Sequence, residues 1–452
     1  MKFSSVAFLL LVGCINAIPV ELSGSHELDT DIPDIPELPQ DDLFDSGVTE
    51  YNASHFVPRA DGNKFRLGQV HNDNWKKPEV PLALFKVYNK YKKPVPKRLQ
   101  RVVDKKHGFL NLKAGALTGT ASATPPAYYD SQYVVPVQIG YPAQNTFLNF
   151  DTGSSDLWVF SSDTYQPDQQ GHILYKPGKS KTSKRLSGQT WAIRYGDGTG
   201  ASGIVYRDVV RVGNTFVRYQ AVQSAVEVSD GIAQDKFAHG IMGLAFTSLN
   251  TVRPTRQKTY FENIQNNLAL PVFTANLQKG KPGNYNFGYI NQAEYSGSIY
   301  FTPADRNSPW WQLTVQGFQV GKSKYTKYNY SAIVDTGTTL LLLPKTIVTA
   351  YYKQVKDAKL DSEMGVYIFP CTSALPDFYF GIGNYRGKVP GHYINYGKLT
   401  STTCYGGIQS SDGIGFAILG DILLKAQFVV FNMQTRSVGF ANKKTVEPAK
   451  SG

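Results

Sequence analysis

Short runs of β-branched and aromatic residues, separated by turn residues, dominate the chain from about residue 133 onward. Such runs are typical of β-strands, and four of them lie at residues 133–139, 147–150, 209–212 and 216–222. Helices are few in this region, and helical spacing of apolar residues is found at residues 260–268 and 347–355. The pattern therefore predicts a mostly β fold with few helices.

One β-hairpin is indicated by its turn residues. The runs 191–195 and 201–205 flank the glycine-rich sequence Gly-Asp-Gly-Thr-Gly at 196–200. Glycine and Asp-Gly steps favour tight turns between antiparallel strands. We therefore expect the two runs to pair around a glycine-rich tip.

The amino terminus has the organisation of a secretory signal peptide. Lys2 precedes the apolar run 6–12, and the small residue Ala17 ends the segment. The apolar run is too short to span a bilayer, and no second long apolar run follows. The sequence predicts a soluble, secreted product with no membrane partner, and a vacuolar destination is the alternative.

Composition excludes wholesale disorder, and the charge is unevenly spread. The 452 residues include 28 Tyr and 25 Phe, and 41% are hydrophobic, which is enough for a large core. The net charge is +12, yet residues 21–50 contain ten acids and no base, whereas residues 59–113 contain fifteen bases and four acids. No recognised nucleic-acid motif accompanies the basic total, so we expect no nucleic-acid partner.

These shifts in composition predict a segmented first part of the chain. We expect a signal peptide at 1–17 and a prosegment at 18–120, with a processing boundary in the small-residue linker that ends it. The acidic lead 18–58 is typical of disorder. The basic part 59–113 carries interleaved aromatic residues and is suited to folding against an acidic surface.

An internal repeat determines the interpretation of the rest. Asp-Thr-Gly occurs at 151–153 and again at 335–337, each time between apolar runs. About 90 residues beyond each triad comes a pair of apolar residues followed by glycine, at 241–243 and 418–420. Two matched features recurring in the same order predict two homologous lobes, which we place at 121–305 and 306–452.

The repeat offers a pair of aspartates, Asp151 and Asp335, for acid–base chemistry. Two carboxylates held close together share one proton, because ionising both is costly. The ionised member can then accept a proton from a bound water, while the protonated member donates to an amide carbonyl. The alternative, that each aspartate only caps a turn, explains one triad better than two.

The residues around each aspartate fit this chemistry. Gly153 and Gly337 permit a tight turn and close backbone approach. The threonines that follow the aspartates can link the two loops through their hydroxyls, and the next hydroxyl residue can bind the outer carboxylate oxygen. These four supporting residues are Thr152, Thr336, Ser154 and Thr338.

These motifs resemble the pepsin family of aspartic endopeptidases, most of all its secreted fungal group of aspergillopepsin and penicillopepsin type. The resemblance covers roughly Tyr133 to Asn442. It implies a bilobal, mostly β acid protease fold with a cleft between the lobes. It also implies that Tyr195 and Gly196 belong to a substrate-covering flap, with the Tyr195 hydroxyl directed toward Trp158. The alternative for this tyrosine and tryptophan is ordinary aromatic packing.

The number of cysteines bears on both disulfide bonding and metal binding. Cys14 would leave with the signal peptide, so Cys371 and Cys404 remain and most simply pair as a disulfide, which the fungal pattern also implies. A metal site would need more ligands, and only His392 lies between them. We expect no metal and no cofactor, since the nucleophile is water.

The resemblance implies that a prosegment lysine approaches the two aspartates in the precursor. Within Tyr88-Asn89-Lys90-Tyr91, Lys90 is the candidate, with Lys92 and Lys93 as rivals. Acid would release such a segment by protonating the carboxylates. Cleavage by another protease after Lys97-Arg98 or Lys105-Lys106 remains an alternative route to the mature protein.

Specificity is predicted from the flap. Family members favour apolar or aromatic residues at the cleaved bond, and the resemblance to fungal enzymes with a flap aspartate implies that Asp197, assisted by Thr199, also accepts lysine. The alternative is that Asp197 is only a good turn residue. Asn329 and Asn52 begin Asn-X-Ser motifs and are candidate glycosylation sites.

Two departures from the family pattern accompany these predictions. His239 stands where relatives often carry an acid, and we expect it to lie at the surface or to support its neighbours, with no catalytic role. The mature region has a net charge of +10, to which the cluster at 176–185 contributes five bases. We expect a monomeric endopeptidase acting on proteins and peptides, and the rival hypothesis is an inert pepsin-like binding or inhibitor protein.

Overall fold

The computed structural model describes residues 49–51, 62–69, 80–107, 133–194, 200–236 and 238–443. Several predicted features lie outside these residues. They are the signal peptide, most of the acidic lead, the linker near residue 120, Asn52 and the hairpin tip with Tyr195, Gly196, Asp197 and Thr199.

Strands account for most of the regular structure. In chain order they are β1 (Thr49–Tyr51), β2 (Phe65–Gly68), β3 (Val134–Ile139), β4 (Gln144–Asp151), β5 (Leu157–Val159), β6 (Lys184–Arg194), β7 (Gly200–Val212), β8 (Thr215–Val228), β9 (Gly240–Gly243), β10 (Val272–Asn276), β11 (Asn284–Phe287), β12 (Ser296–Pro303), β13 (Gln312–Val320), β14 (Thr326–Val334), β15 (Leu341–Leu343), β16 (Lys359–Leu360), β17 (Tyr367–Pro370), β18 (Phe378–Ile382), β19 (Tyr385–Val389), β20 (Asn395–Lys398), β21 (Thr403–Gly406), β22 (Ile408–Ser410), β23 (Ala417–Leu419), β24 (Gln427–Asn432) and β25 (Ser437–Asn442).

The described helices are short. They are α1 (Val80–Lys90), α2 (Lys97–His107), α3 (Asp230–Ala233), α4 (Tyr260–Ile264), α5 (Lys345–Tyr352), α6 (Gly391–Ile394) and α7 (Asp421–Leu424). A capping box between Thr259 and Glu262 starts α4, which ends earlier than the apolar spacing 260–268 suggests. Within the described ranges, no helix is long and apolar enough to cross a membrane.

Two sheets repeat the same arrangement of inner strands. In the first, with order β3-β4-β9-β5-β8-β7-β6, β4 and β9 are parallel and β5 is antiparallel to β9. In the second, with order β19-β18-β13-β14-β23-β15-β22, β14 and β23 are parallel and β15 is antiparallel to β23. The predicted mostly β, two-lobed fold is confirmed, and a small four-stranded sheet, β16-β17-β21-β20, adds to the second half.

A third sheet of seven strands combines two strands of the predicted prosegment with strands from residues 272–303 and 427–442, in the order β1-β12-β25-β24-β10-β11-β2. Its central strands are buried along their whole length, as β10 and β24 show, because both faces are covered. Phe273 and Phe431 stack within it at 4.5 Å, beside the buried Trp311. Disorder was expected for 18–58, but residues 49–51 form β1, which pairs with β12. Without β1, β12 would be an edge strand with unpaired backbone groups, and such groups bind a neighbouring segment.

The basic segment supplies both an edge strand and a helical pair. β2 pairs with β11, and the Phe65 ring stacks on Phe287 at 4.9 Å. The apolar face of α1 is buried, and after a short turn the chain continues into α2. The carboxyl-terminal end of α1 therefore places Lys90 and Tyr91 at the aspartates described next.

Candidate active site

The inner strands deliver the two aspartates to one place. Asp151 is the last residue of β4 and lies opposite Gly243 of β9. Asp335 directly follows β14, and its backbone N–H donates to the carbonyl oxygen of Leu419 at 3.2 Å. Both side chains are almost completely buried, at 2% and 0% exposure. The equivalent strands of the repeat thus present equivalent carboxylates.

A symmetric set of hydrogen bonds joins the two aspartate loops. The backbone N–H of Thr152 donates to Thr336 Oγ1 at 3.1 Å, and the backbone N–H of Thr336 donates to Thr152 Oγ1 at 3.0 Å. Each hydroxyl then donates across the repeat, Thr152 to the carbonyl of Val334 and Thr336 to the carbonyl of Phe150. All these groups are buried, so their satisfaction by one another fixes the loops as a rigid unit.

Each carboxylate is oriented by its own loop. The N–H of Gly153 donates to Asp151 Oδ1 at 2.8 Å, and the N–H of Gly337 donates to Asp335 Oδ1 at 2.9 Å. Ser154 Oγ donates to Asp151 Oδ2 at 2.6 Å, and Thr338 Oγ1 donates to Asp335 Oδ2. In both side chains, therefore, Oδ1 accepts from a backbone N–H and Oδ2 accepts from a hydroxyl group.

Close packing excludes any side chain at the two glycines. A Cβ atom at Gly153 would lie 2.5 Å from Asp335 Oδ1, and one at Gly337 would lie 2.3 Å from Asp151 Oδ1. The glycine of each loop therefore touches the carboxylate of the other. These contacts show how near the two aspartates lie.

Lys90, at the end of α1, occupies the point between the carboxylates. Its Nζ lies 2.9 Å from Asp151 Oδ1 and 2.9 Å from Asp335 Oδ2. Burial lowers the pKa of this lysine, but the two aspartates outweigh burial and raise it. The rivals are elsewhere, because Lys92 is exposed and Lys93 lies against the Phe416 ring.

Tyr91 adds a second blocking group that the sequence interpretation did not identify. Its hydroxyl donates to Asp335 Oδ2 at 2.5 Å. Its ring packs edge-on against Trp310 and Phe416, at centroid distances of 5.7 and 5.2 Å. Tyr88, one turn earlier, donates to the carbonyl oxygen of Asp412. The sequence motif at 88–91 indicated this segment as the inhibitory one. Only the fold shows that Trp310 and Phe416 are the aromatic residues against which Tyr91 packs.

The electrostatics make the aspartates unequal. Burial raises the pKa of Asp151, Lys90 opposes this, and the neighbouring Asp335 raises it again. Burial also acts to raise the pKa of Asp335, but Lys90 and the hydrogen bonds that this carboxylate receives lower it to about 2. Titration of such a pair belongs to both groups together. The arrangement can therefore hold one shared proton.

The structure also shows where the predicted aromatic, disulfide and glycosylation residues lie. Trp158 is buried and stacks on Trp191, but Tyr195 lies outside the described residues, so their contact stays a prediction. Cys371 and Cys404 form a disulfide bond of 2.06 Å at the small sheet. Asn329 is exposed on β14, and its glycosylation stays a prediction.

His239 does not lie at the surface, the first of the two positions expected for it. It is 6% exposed, and its ring nitrogen faces that of His172. In the part of the chain that the structure describes, no group of three or more His, Cys, Asp or Glu side chains is placed to hold a metal ion.

Comparison with known proteins gives a consistent answer. The family model described as eukaryotic aspartyl protease matches residues 132–443. Endothiapepsin of Cryphonectria parasitica is 48% identical over 389 residues, covering 85% of this chain and 92% of that protein. Podosporapepsin of Podospora anserina is 45% identical, with 84% and 92% covered. Aspergillopepsin-1 of Aspergillus fumigatus (strain CBS 144.89 / FGSC A1163 / CEA10) is 46% identical, with 73% and 83% covered.

Proposed function

Because the chain belongs to the eukaryotic aspartyl protease family and is an aspartic-type endopeptidase, we propose that it is made as a secreted zymogen that hydrolyses peptide bonds at acid pH. The observation that carries the zymogen proposal is the position of Lys90 Nζ, 2.9 Å from an oxygen of each aspartate. A segment that neutralises and covers both carboxylates also excludes substrate. The precursor is therefore expected to be inactive.

In the proposed reaction, Asp151 and Asp335 hold a water molecule between them and share one proton. The ionised carboxylate takes a proton from the water as its oxygen attacks the amide carbonyl, and the protonated carboxyl donates to the carbonyl oxygen. The tetrahedral intermediate then collapses with proton transfer to the leaving nitrogen. The hydrogen bonds from Gly153, Ser154, Gly337 and Thr338 support this assignment, because they fix the carboxylates before substrate arrives.

Acid is proposed to release the prosegment through the same contacts. Burial acts to raise the pKa of Asp335, but Lys90 lowers it. The contact between Lys90 and Asp335 therefore stabilises the zymogen at pH values above the ordinary carboxyl pKa. That stabilisation is lost as the pH falls through the titration of the pair. Cleavage near residue 120 would then separate 18–120 from the two lobes, 121–305 and 306–452.

Targeting and surface features complete the proposal. The signal-like segment 1–17 supports secretion, with the vacuole as the alternative destination. The exposure of Asn329 supports glycosylation there. We propose a monomer that acts on proteins and peptides and requires neither a cofactor nor a metal ion.

The blocked cleft also supports a preference for apolar or aromatic substrate residues. The ring of Tyr91 lies between Trp310 and Phe416, while its hydroxyl reaches Asp335. A substrate side chain of similar shape would find the same apolar walls. Acceptance of lysine through Asp197 and Thr199 rests on the sequence alone.

The decisive experiment is peptide cleavage by the purified full chain, shifted from about pH 7 to about pH 3.5 with and without pepstatin. We expect shortening near residue 120, followed by casein hydrolysis that pepstatin abolishes. Asp151→Asn should fold but neither shorten itself nor cleave casein. A folded protein that stays inert after its prosegment has been removed by another protease would instead favour the binding-protein hypothesis.

The lysine preference has its own test. In Asp197→Ala, cleavage after lysine, as in trypsinogen activation, should be lost while cleavage at aromatic residues is retained. An equal loss of both activities would show that Asp197 serves the turn rather than specificity.

A further inference from the structure

Two histidines meet within the first lobe, outside the machinery described above. His239 directly precedes β9, the strand whose last residue, Gly243, lies opposite Asp151. His172 comes from the connection between β5 and β6, and its Nδ1 lies 3.3 Å from Nδ1 of His239. Proton transfer to substrate does not use either ring. Their position beside the catalytic strand suggests another use.

Packing holds the two rings nearly perpendicular, with 87° between their planes, so that their Nδ1 atoms face each other. His172 stacks on Phe160, with 13° between the ring planes, and His239 lies against Phe147 at 6.5 Å. The backbone of His239 is fixed on both sides, since its N–H donates to the carbonyl of Phe147 and its carbonyl accepts from the N–H of Phe160. The rings therefore have little freedom to turn away from each other.

The contact can accommodate one hydrogen between the facing nitrogens but not two. A neutral imidazole has one donor and one acceptor nitrogen, so one N–H can point at the other ring's lone pair. When both rings are protonated, two N–H groups and two positive charges face each other at the same 3.3 Å. The contact must then open.

Burial and the positive charge of Lys236 oppose protonation of both rings. Lys236 donates to the carbonyls of Gln170 and Ala233, next to His172, and the neighbouring acids are Asp168, Asp230 and Asp235. Burial lowers the pKa of His172 to about 4, and the ammonium of Lys236 contributes. Burial and Lys236 likewise lower the pKa of His239 to about 4. Both rings therefore change charge within the acid range where the enzyme is expected to work.

A short chain of contacts leads from the pair to the base of the substrate-covering hairpin. His172 Nε2 donates to the carbonyl of Ala233, the last residue of α3, at 3.1 Å. At the other end of α3, the N–H of Ser229 donates to the carbonyl of Gly200 at 2.9 Å, and the N–H of Gly200 donates to Ser229 Oγ at 3.0 Å. Gly200 begins β7, directly after the hairpin tip at 195–199.

We propose that His172 and His239 are positioning residues that hold α3 and the base of the hairpin in place for substrate binding, and that their double protonation sets the acid limit of this binding. The aspartate pair sets the pH dependence of the chemical step separately. The proposal thus assigns substrate affinity and turnover at low pH to different groups.

The test measures kcat and KM between about pH 2.5 and about pH 6 for the acid-activated full chain. The substrate is a peptide with aromatic residues at the cleaved bond and no titratable side chain. We expect the KM of the native enzyme to rise about fivefold or more below about pH 4, a size typical of coupling between sites. His239→Asn keeps a hydrogen-bonding group near the Nδ1 position but does not titrate, so its KM should stay flat while its kcat profile is unchanged.

Phe147→Leu is the matched control. It alters the packing around His239 without removing a titratable group, so the rise in KM should keep its midpoint. A His239→Asn enzyme whose KM rises at the same pH as that of the native enzyme would overturn the proposal.

Histidine titration by NMR on the native chain decides the matter if the variant does not fold. Two histidine signals that remain neutral at about pH 5 and titrate near pH 4 support the proposal, whereas titration of both rings near the ordinary value of about 6.5 overturns it. This measurement needs no activity. Activity of the native enzyme at about pH 5 tests the proposed function by itself, so failures of the two ideas are distinguishable.

Discussion

Gly337 limits how closely the aspartate loops can approach each other. Its missing Cβ would lie 2.3 Å from Asp151 Oδ1 and 2.8 Å from Lys90 Nζ. We expect Gly337→Ala to push the loops apart and to lower kcat by at least about a hundredfold, since misplacement by about 1 Å has this effect on aligned groups. The measurement is kcat of the activated enzyme at its optimal pH.

Gly178→Ala is the control for this substitution. A Cβ at Gly178 meets nothing within 4 Å, so the same chemical change should leave kcat unaltered. Normal kcat in Gly337→Ala would mean that the loops separate without cost, and the tight fit described here would not matter for catalysis.

Lys90 provides the second residue-scale prediction. Lys90→Gln removes the cation between two buried carboxylates, so we expect the prosegment to be released at a higher pH, with activity of the unprocessed chain already near pH 6. The sign follows from linkage. Lys90 lowers the pKa of Asp335, so their contact stabilises the precursor only while the carboxylate is ionised and Lys90 is present. The measurement is the rate of peptide cleavage by the unprocessed chain as a function of pH.

Lys92→Asn tests charge alone. Lys92 has a positive φ of 53°, which asparagine tolerates, and its side chain is exposed. The variant loses the same charge two residues away and should activate at the native pH. Equal shifts in both variants would attribute inhibition to overall charge rather than to Lys90.

At the scale of elements, the repeat was the strongest guide that the sequence provided. The runs 133–139 and 147–150 became β3 and β4, and the glycine-rich hairpin became β6 and β7. Local patterns succeeded there because strand alternation and turn residues act over a few positions. The aspartates were identifiable for a different reason, since two copies of one motif imply a shared site.

The elements that the sequence did not specify depend on distant partners. No local pattern identifies β1 and β2 as edge strands, because their hydrogen-bonding partners lie more than 200 residues away in β12 and β11. Trp310 was likewise not singled out, although its indole N–H donates to the carbonyl of Gly153 at 3.2 Å. Such contacts arise only when the lobes and the third sheet assemble.

The pairing of β2 leads to a prediction for the precursor. Phe65 is buried and stacks on Phe287, so Phe65→Ala should destabilise the precursor by up to about 3 kcal/mol, the lower end for such a truncation. Thermal unfolding of the precursor near pH 7 would show the loss. The matured enzyme lacks this residue if processing occurs near residue 120, and its unfolding should match that of the native enzyme.

Arg66→Ala separates packing from charge in the same strand. Arg66 lies 3.6 Å from Glu294, but its side chain is 59% exposed, so solvent screens the pair and we expect little change. A larger effect for Arg66→Ala than for Phe65→Ala would show that electrostatics rather than apolar packing attaches β2.

At the scale of the whole molecule, the chain carries more bases than acids. The net charge is +12, and the outer face of the first lobe carries exposed bases at Lys184 on β6 and Arg207 on β7, directly opposite each other. Among the described residues, no acid forms an ion pair with either of them. Like charges facing each other across an antiparallel pair are destabilising.

This arrangement predicts that Lys184→Glu stabilises the protein, by about 0.5 kcal/mol for a new cross-strand pair with Arg207. Lys179→Glu changes the net charge equally, in an exposed turn outside the strands, and separates the general effect of charge from the pair. Thermal unfolding at about pH 6 and low salt should show the larger gain for Lys184→Glu, and added salt should reduce it. Near pH 3 the new glutamate is largely protonated and the difference should vanish. Equal gains for both variants at pH 6 would assign the effect to net charge and show that the facing pair carries no specific repulsion.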